Sequence, residues 1–173
     1  MKSLLFSTLL ISALLFGCTK DSSSTITGVA GTMSASSYGF DGSNSGKFTS
    51  SAAGIVKATA TGTPITTISA IRDGGKESIN IVLFKDVTAI GVIKLGPGYT
   101  NGGISITKDY TSASDRSIIY TTNNSTTANQ GGGEVNITKV DGKNIEGTFY
   151  FIAYNSAGNL AFAEQGTFKG TSN

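Results

Sequence analysis

The chain has 173 residues, of which 13 are Lys or Arg and 11 are Asp or Glu, with one cysteine and no histidine. Charged residues make up 14% of the chain, against about 25% in average proteins, and they are scattered singly. This argues against nucleic-acid binding, which uses a clustered basic face. Without histidine and with a single thiol, Ser-His-Asp or Cys-His catalysis and zinc sites built from His or Cys are excluded.

Residues 1–17 have the layout of a secretory signal peptide. Lys2 supplies a positive charge, and a mainly apolar run extends from Leu4 to Phe16. An apolar core of roughly 7–15 residues is typical of such signals. A membrane-spanning helix needs about 20 apolar residues, so a transmembrane anchor is the weaker interpretation.

The run Leu15-Phe16-Gly17-Cys18 resembles the lipobox of bacterial lipoproteins. The resemblance implies cleavage between Gly17 and Cys18 and attachment of fatty acyl chains such as palmitate to Cys18. An ordinary signal peptide followed by a chance cysteine is the alternative. Two or three acyl chains anchor a protein stably, whereas one binds only marginally.

The next residues predict how the anchored chain is arranged. Residues 18–27 are polar and lack the apolar side chains needed to pack, so we expect a flexible tether. No Asp directly follows Cys18. The inner-membrane retention signal of enterobacterial lipoproteins is therefore absent, and we expect an outer-membrane anchor facing the periplasm or the cell surface. Residues 28–173 contain no further linker and predict one domain.

The sequence predicts that this domain is all-β, an antiparallel sandwich or barrel of about ten short strands with meander connections. Glycines number 23 and prolines 2, and alternating or β-branched runs recur between turn signals. The clearest unit is a three-stranded meander over residues 133–169. Further strands are predicted at Gly54–Ala60, Ile65–Arg72, Ile79–Leu83, Gly91–Leu95, Ile104–Lys108 and Ser117–Thr121, and residues 122–132 form the longest predicted loop.

A set of motifs follows the lipobox in a fixed order. They are Gly31-Thr-Met-Ser-Ala35, Phe48-Thr-Ser-Ser-Ala-Ala-Gly54, Gly132-Gly-Glu-Val-Asn-Ile-Thr-Lys-Val-Asp141, Ile145-Glu-Gly-Thr-Phe-Tyr-Phe151 and Glu164-Gln-Gly-Thr-Phe168. Together they resemble a family of small Bacteroidota lipoproteins whose domain is of unknown function. The resemblance covers most of residues 31–169. It implies an envelope-anchored β-domain and carries over no catalytic residues.

The acidic residues offer one possible chemistry, a pair of carboxylates acting on a glycosidic bond. Asp41, Asp73 and Asp141 precede glycine in apparent turns, where Asp is favoured for its backbone geometry. The strand acids, expected to face solvent, are Glu134, Glu146 and Glu164.

Two oxygen-rich segments, residues 41–46 and 109–115, could bind calcium. For both segments we favour the alternative, a hydrogen-bonded turn. We predict no metal and no cofactor.

Aromatic side chains suggest a different site. Tyr150 and Tyr154 fall on one strand face with Ile152 between them, and Tyr110 and Tyr120 lie in or beside other strands. Such rings could stack on sugars, or they could pack in the core. Tyr99 lies in a turn and is expected to be exposed.

The sequence therefore predicts a non-enzymatic, lipid-anchored envelope protein with a binding or structural surface. Its predicted partners are membrane lipid, through acylated Cys18, and a possible glycan or envelope protein. One alternative is a carrier that holds a small ligand or glycan inside a closed barrel. A second is a carboxylate-dependent glycan hydrolase.

Overall fold

A computed structural model describes residues 31–125 and 129–173. Gly17, Cys18 and the predicted signal peptide and tether lie outside the described residues. Within these two segments, no helix is long and apolar enough to cross a membrane.

The described chain forms ten strands, as the sequence pattern predicts. Two short 3₁₀ helices, Tyr110–Ser112 and Arg116–Ile118, interrupt them between β6 and β7. The strands are β1 Gly31–Phe40, β2 Ser43–Ala60, β3 Thr63–Ile71, β4 Ser78–Leu83, β5 Gly91–Leu95, β6 Gly102–Thr107, β7 Ile119–Thr121, β8 Gly132–Asp141, β9 Asn144–Tyr154 and β10 Leu160–Thr171.

Two of the differences from the predicted strand boundaries have a clear structural cause. β2 begins at Ser43 rather than Gly54, directly after a tight turn in which Asp41 and Gly42 both have positive φ. Register shifts between β1 and β2 break the two-residue alternation over this stretch and hide the strand in the sequence. The predicted strand at residues 117–121 is shorter than expected, because Asp115 caps a 3₁₀ helix there and β7 starts only at Ile119.

The sheet closes into an eight-stranded antiparallel barrel. Its hydrogen-bonded order is β10-β1-β2-β3-β4-β6-β7-β9, and β9 pairs back to β10. The pairing between β7 and β9 is short, because these two strands share the single pair Thr121 and Tyr154. The rest of that β9 edge pairs with β8, and β8 in turn pairs with β5. The β8–β9–β10 meander is thus confirmed, and of the two predicted architectures the barrel is the correct one.

Side chains fill the interior of the barrel. Alternate residues of each strand point inward, as in β4, where Ile79, Ile81 and Leu83 have no exposed surface. Bulky rings complete the packing, among them Phe48, Tyr120 and Phe151. An eight-stranded barrel is just wide enough for such a filling. The large buried residues therefore occupy the space that a carrier would need for its ligand.

One end of the barrel carries two polar clusters. There the buried tyrosines Tyr38 and Tyr120 direct their hydroxyls toward carboxylates. Each carboxylate also pairs with a basic side chain. The clusters supply hydrogen-bond acceptors for the two tyrosine hydroxyls, which the apolar core does not provide.

Candidate functional site

The outward face of β9 bears an exposed aromatic side chain, that of Tyr150. Tyr150 is 54% exposed and Ile152 is nearly as open, whereas Tyr154 is only 9% exposed. Of the two alternatives for these rings, Tyr154 agrees with packing and not with a row of exposed rings. That residue lies where β7 joins β9, and the Asn124 side-chain amide donates to its carbonyl oxygen, so neighbouring chain covers it.

A groove of about 530 Å³ surrounds Tyr150 on the outer surface of β8, β9 and β10. The strand register explains its composition. Glu134 lies opposite Tyr150, while Asn136 and Thr167 lie on either side of Thr148. We call this surface the Tyr150 groove. Its polar lining residues are Glu134, Asn136, Thr148, Tyr150, Glu164, Gln165 and Thr167.

A β-bulge in β10 forms one wall of the Tyr150 groove. The register between β9 and β10 shifts between Ala163 and Gly166, and Gln165 adopts a left-handed φ of 50°. Successive residues of a regular strand point to opposite faces, but the bulge leaves both Glu164 and Gln165 exposed. The bulge therefore adds a carboxylate and an amide to the same wall of the groove.

The buried side of the bulge is fixed by packing. Gly166 faces the core, where an added Cβ would lie 2.5 Å from the ring of Phe149. Glycine is needed at this position because the ring occupies the space of a side chain.

The Tyr150 groove combines an apolar ring with hydrogen-bonding groups. A tyrosine ring offers a flat apolar surface together with a polar tip. The carboxylates of Glu134 and Glu164 accept hydrogen bonds, and the amides of Asn136 and Gln165 both donate and accept. No basic residue lines the groove in the described chain. Two basic residues lie next to it, Lys94 opposite Glu134 and Lys169 two residues after Thr167 on β10. The groove therefore suits a ligand rich in donors and without strong negative charge.

The other predicted aromatic residues lie apart from this groove. Tyr120 is fully buried in the barrel, in agreement with the core-packing alternative, and its hydroxyl contacts Asp41. Tyr99 is 50% exposed, as predicted for a turn residue, and Tyr110 is exposed on a different surface.

The two oxygen-rich segments are held by internal hydrogen bonds. Asn44 accepts from the backbone N–H of Gly46 and donates to the Ser37 hydroxyl. Asp109 and Asp115 each cap a 3₁₀ helix. Within residues 31–125 and 129–173, no three acidic or cysteine side chains are grouped as metal ligands would be.

The sequence marks Tyr150 as one of several candidate rings, and its pattern does not reveal the wall that β10 contributes. The sequence pattern predicts a regular strand through Glu164 and Gln165. A signal was present, because Gly166 interrupts that strand and glycine inside a strand often marks a bulge. The pairing of Glu134 with Tyr150 depends on register across a turn, which the alternation pattern alone does not give.

Comparison with known proteins gives one match. A family described as a domain of unknown function (DUF6252) matches residues 37–171. No curated protein and no solved structure matches the chain. The matched range includes the end of β1 from residue 37 onward and all the strands that follow it, up to the last residue of β10. The chain therefore belongs to the DUF6252 family.

Proposed function

We propose that this protein is a lipid-anchored envelope protein that binds glycans on the outer surface of its barrel. The observation that carries the proposal is the exposed Tyr150 ring in a groove whose walls present carboxylates and amides from neighbouring strands. Sugars have apolar C–H faces that pack on aromatic rings and hydroxyls that donate to carboxylates. The lining of the groove matches both properties.

Two further features support a site on the outer surface. The interior of the barrel is occupied by large side chains, which leaves the outer surface for a ligand. A volume of about 530 Å³ falls within the range of roughly 300–1,000 Å³ that ligand pockets occupy. A short stretch of a glycan chain fits this size better than a protein surface does.

The charge of the Tyr150 groove narrows the class of glycan. Glu134 and Glu164 would repel the carboxylates or sulfates of acidic polysaccharides. Neutral glycans and glycans with free amines meet no such penalty. We therefore expect binding to neutral or amine-bearing sugars in preference to polyuronates.

The same two carboxylates favour a second candidate, a glycan hydrolase. Glycosidases place two carboxyl groups roughly 5–10 Å apart across the scissile bond, and Glu134 and Glu164 line one groove on strands either side of β9. Binding without hydrolysis fits better, because the acid of a glycosidase is desolvated to keep its proton. Glu164 instead lies exposed to solvent.

A glycan array tests the proposal. Fluorescently labelled wild-type chain is compared with Tyr150→Ala and with Tyr99→Ala, a matched control that removes an equally exposed ring elsewhere. We expect Tyr150→Ala to lose binding and Tyr99→Ala to keep it. Equal binding by both variants, or no glycan bound by the wild type, would overturn the proposal. Release of reducing ends from a bound glycan would favour the hydrolase.

The lipid anchor is tested separately through Cys18. Cells expressing the chain are grown with an alkyne-tagged fatty acid, and the protein is then isolated and coupled to a dye. Wild type should be labelled and Cys18→Ser should not, because the thiol is the only attachment point that the lipobox provides. Labelling that persists in Cys18→Ser would show that the anchor assignment is wrong.

A further inference from the structure

The outer surface of the barrel carries two buried residues whose hydroxyls have no hydrogen-bond partner in the described part of the chain. Ser78 on β4 and Thr107 on β6 are each only 6% exposed. Neither side chain forms a hydrogen bond with any residue in the described segments 31–125 and 129–173. Every completely sealed side-chain oxygen and nitrogen in those segments does have a partner. The two hydroxyls must therefore open onto the groove that they both line.

The strand register brings these hydroxyls together. Ser78 and Thr107 lie directly opposite each other, and their neighbours Ile79 and Ile106 point into the barrel. The hydroxyls consequently face outward, although an outward residue of a barrel is normally exposed. One row further along, Ser69 lies opposite Asn80, and both also line the groove. Four uncharged polar side chains thus converge on its floor.

A short 3₁₀ helix forms the wall that buries them. Tyr110 begins this helix, and its backbone N–H donates to the carbonyl of Lys76. Asp109 accepts from both the backbone N–H and the hydroxyl of Thr111, and it pairs with the Lys76 ammonium group. Tyr110 and Ala113 are thereby held beside Thr107. The wall is fixed by specific contacts and does not depend on a ligand.

The rest of this surface is apolar, and none of its lining residues is charged. We call it the Tyr110 groove, and its volume is about 580 Å³. It lies on the opposite side of the barrel from the Tyr150 groove, because three strand steps separate β10 from β3 in one direction and β9 from β4 in the other. Its apolar lining residues are Ala52, Ala53, Val56, Ala70, Ile71, Tyr110 and Ala113.

We propose that the Tyr110 groove is a second binding site, which takes an uncharged small molecule with an apolar body and at least one hydrogen-bonding group. Alanine, valine and isoleucine side chains suit the apolar body. Ser78 and Thr107 can each donate and accept, so an amide, an alcohol or an ester of the ligand satisfies them. A charged group would lose its hydration without meeting an opposite charge.

Gly54 allows the groove to be closed without disturbing the core. It lines the groove, and a Cβ added there meets no atom within 4 Å. Gly54→Leu should therefore fill the space with its own side chain. Thr107→Val is a second variant, which removes the hydroxyl and keeps the shape. Because the Thr107 hydroxyl bonds to no other residue in the described segments, Thr107→Val should not lower the unfolding temperature.

Three matched probes test the ligand class by NMR titration of the isotope-labelled full-length chain. They are benzamide, benzoate and benzylammonium, which share a ring and differ in charge. We expect benzamide to give saturable shifts at Ser69, Ser78, Asn80 and Thr107, and the two ions to bind several-fold more weakly. Gly54→Leu should abolish the benzamide shifts, and Thr107→Val should weaken binding several-fold.

The outcomes separate this site from the proposed glycan site. Tyr150→Ala should leave the benzamide shifts unchanged, and Gly54→Leu should leave glycan binding unchanged. The proposal is overturned if benzamide gives no saturable shifts in the groove, or if the shifts survive in a folded Gly54→Leu chain. It is also overturned if benzoate or benzylammonium binds as tightly as benzamide, or if Thr107→Val unfolds at a clearly lower temperature than wild type.

Discussion

The hydroxyl of Tyr120, buried in the barrel, donates to the carboxylate of Asp41 in the turn between β1 and β2, with 2.8 Å between the oxygens. Asp41 also pairs with Lys108, whose ammonium lies 5.5 Å from the ring centre of Tyr120. Tyr38 repeats the arrangement with Glu77, 3.0 Å away. Both clusters connect a ring in the core to an ion pair at the barrel end, so they link the charge of that end to the stability of the fold.

Acid should weaken the barrel through Asp41. The hydrogen bond from Lys108, supported by that from Tyr120, holds the pKa of Asp41 below its usual value near 4. A carboxylate with a lowered folded-state pKa stabilises the fold above the pKa of the unfolded chain, and this contribution is lost as the pH falls through the folded-state pKa. Solvent screens the partly exposed pair, so we expect a modest effect.

Thermal unfolding across the acidic range measures this contribution. Asp41→Asn should unfold at a lower temperature than wild type near neutral pH. The difference should shrink as the pH falls through the folded-state pKa of Asp41, because the wild-type carboxyl then also becomes neutral. A difference that stays constant through the acid range would contradict the assignment.

The tyrosine hydroxyls give a second prediction. Tyr38→Phe and Tyr120→Phe should each lower the free energy of unfolding by about 1 kcal/mol, because each change removes one hydrogen bond from a buried ring. The carboxylates keep their basic partners, which limits the loss. Chemical denaturation gives the values, with Tyr99→Phe at a half-exposed ring as the control. Equal stability of all three variants would show that the two hydrogen bonds contribute nothing.

The sequence predicts where the strands lie along the chain better than it predicts which strands pair with each other. The alternation of Ile79, Ile81 and Leu83 identifies β4 because one face is buried and the other is not. The barrel closes where β1 pairs with β10, and Thr32 lies opposite Lys169 there. These residues are far apart in the sequence, so no local pattern predicts that they pair. The same limit hides the Tyr110 groove, since Ser78 and Thr107 meet only through the register of β4 and β6.

Irregular backbone and the packing of neighbouring segments account for the other differences between the sequence prediction and the structure. The bulge in β10 exposes Gln165 by a local change in φ, and the register shifts along β1 disguise the first part of β2. Tyr154 follows the alternation correctly, yet it is covered by residues from β7 and the following loop. Period-two patterns describe the strand itself and carry no information on what later packs above it.

Gly166→Ala tests how tightly the bulge is packed. The added Cβ would lie 2.5 Å from the Phe149 ring, so we expect a loss of about 1–3 kcal/mol in the free energy of unfolding. Gly54→Ala is the matched control, because its Cβ meets open space. It should be neutral or slightly stabilising, since alanine restricts the unfolded chain more than glycine does.

A suppressor distinguishes this clash from a general effect of replacing glycine. Phe149→Leu removes the ring atoms that the new Cβ would meet, at the expense of a cavity. The double variant should therefore lose less stability than the sum of the two single changes. Strict additivity in denaturant unfolding would indicate that Gly166 and Phe149 do not compete for the same space.

The carboxylates of the Tyr150 groove provide the sharpest test of the proposed ligand class. Glu134→Gln and Glu164→Gln keep the approximate shape and an acceptor oxygen but remove the charge. Binding of amine-bearing glycans should fall by roughly tenfold for each change, which corresponds to about 1.4 kcal/mol, whereas binding of neutral glycans should change much less. Adding salt should weaken amine-bearing glycans in the wild type and have little effect on the variants. If neutral and amine-bearing glycans respond alike, the carboxylates act only as hydrogen-bond acceptors and charge does not select the ligand.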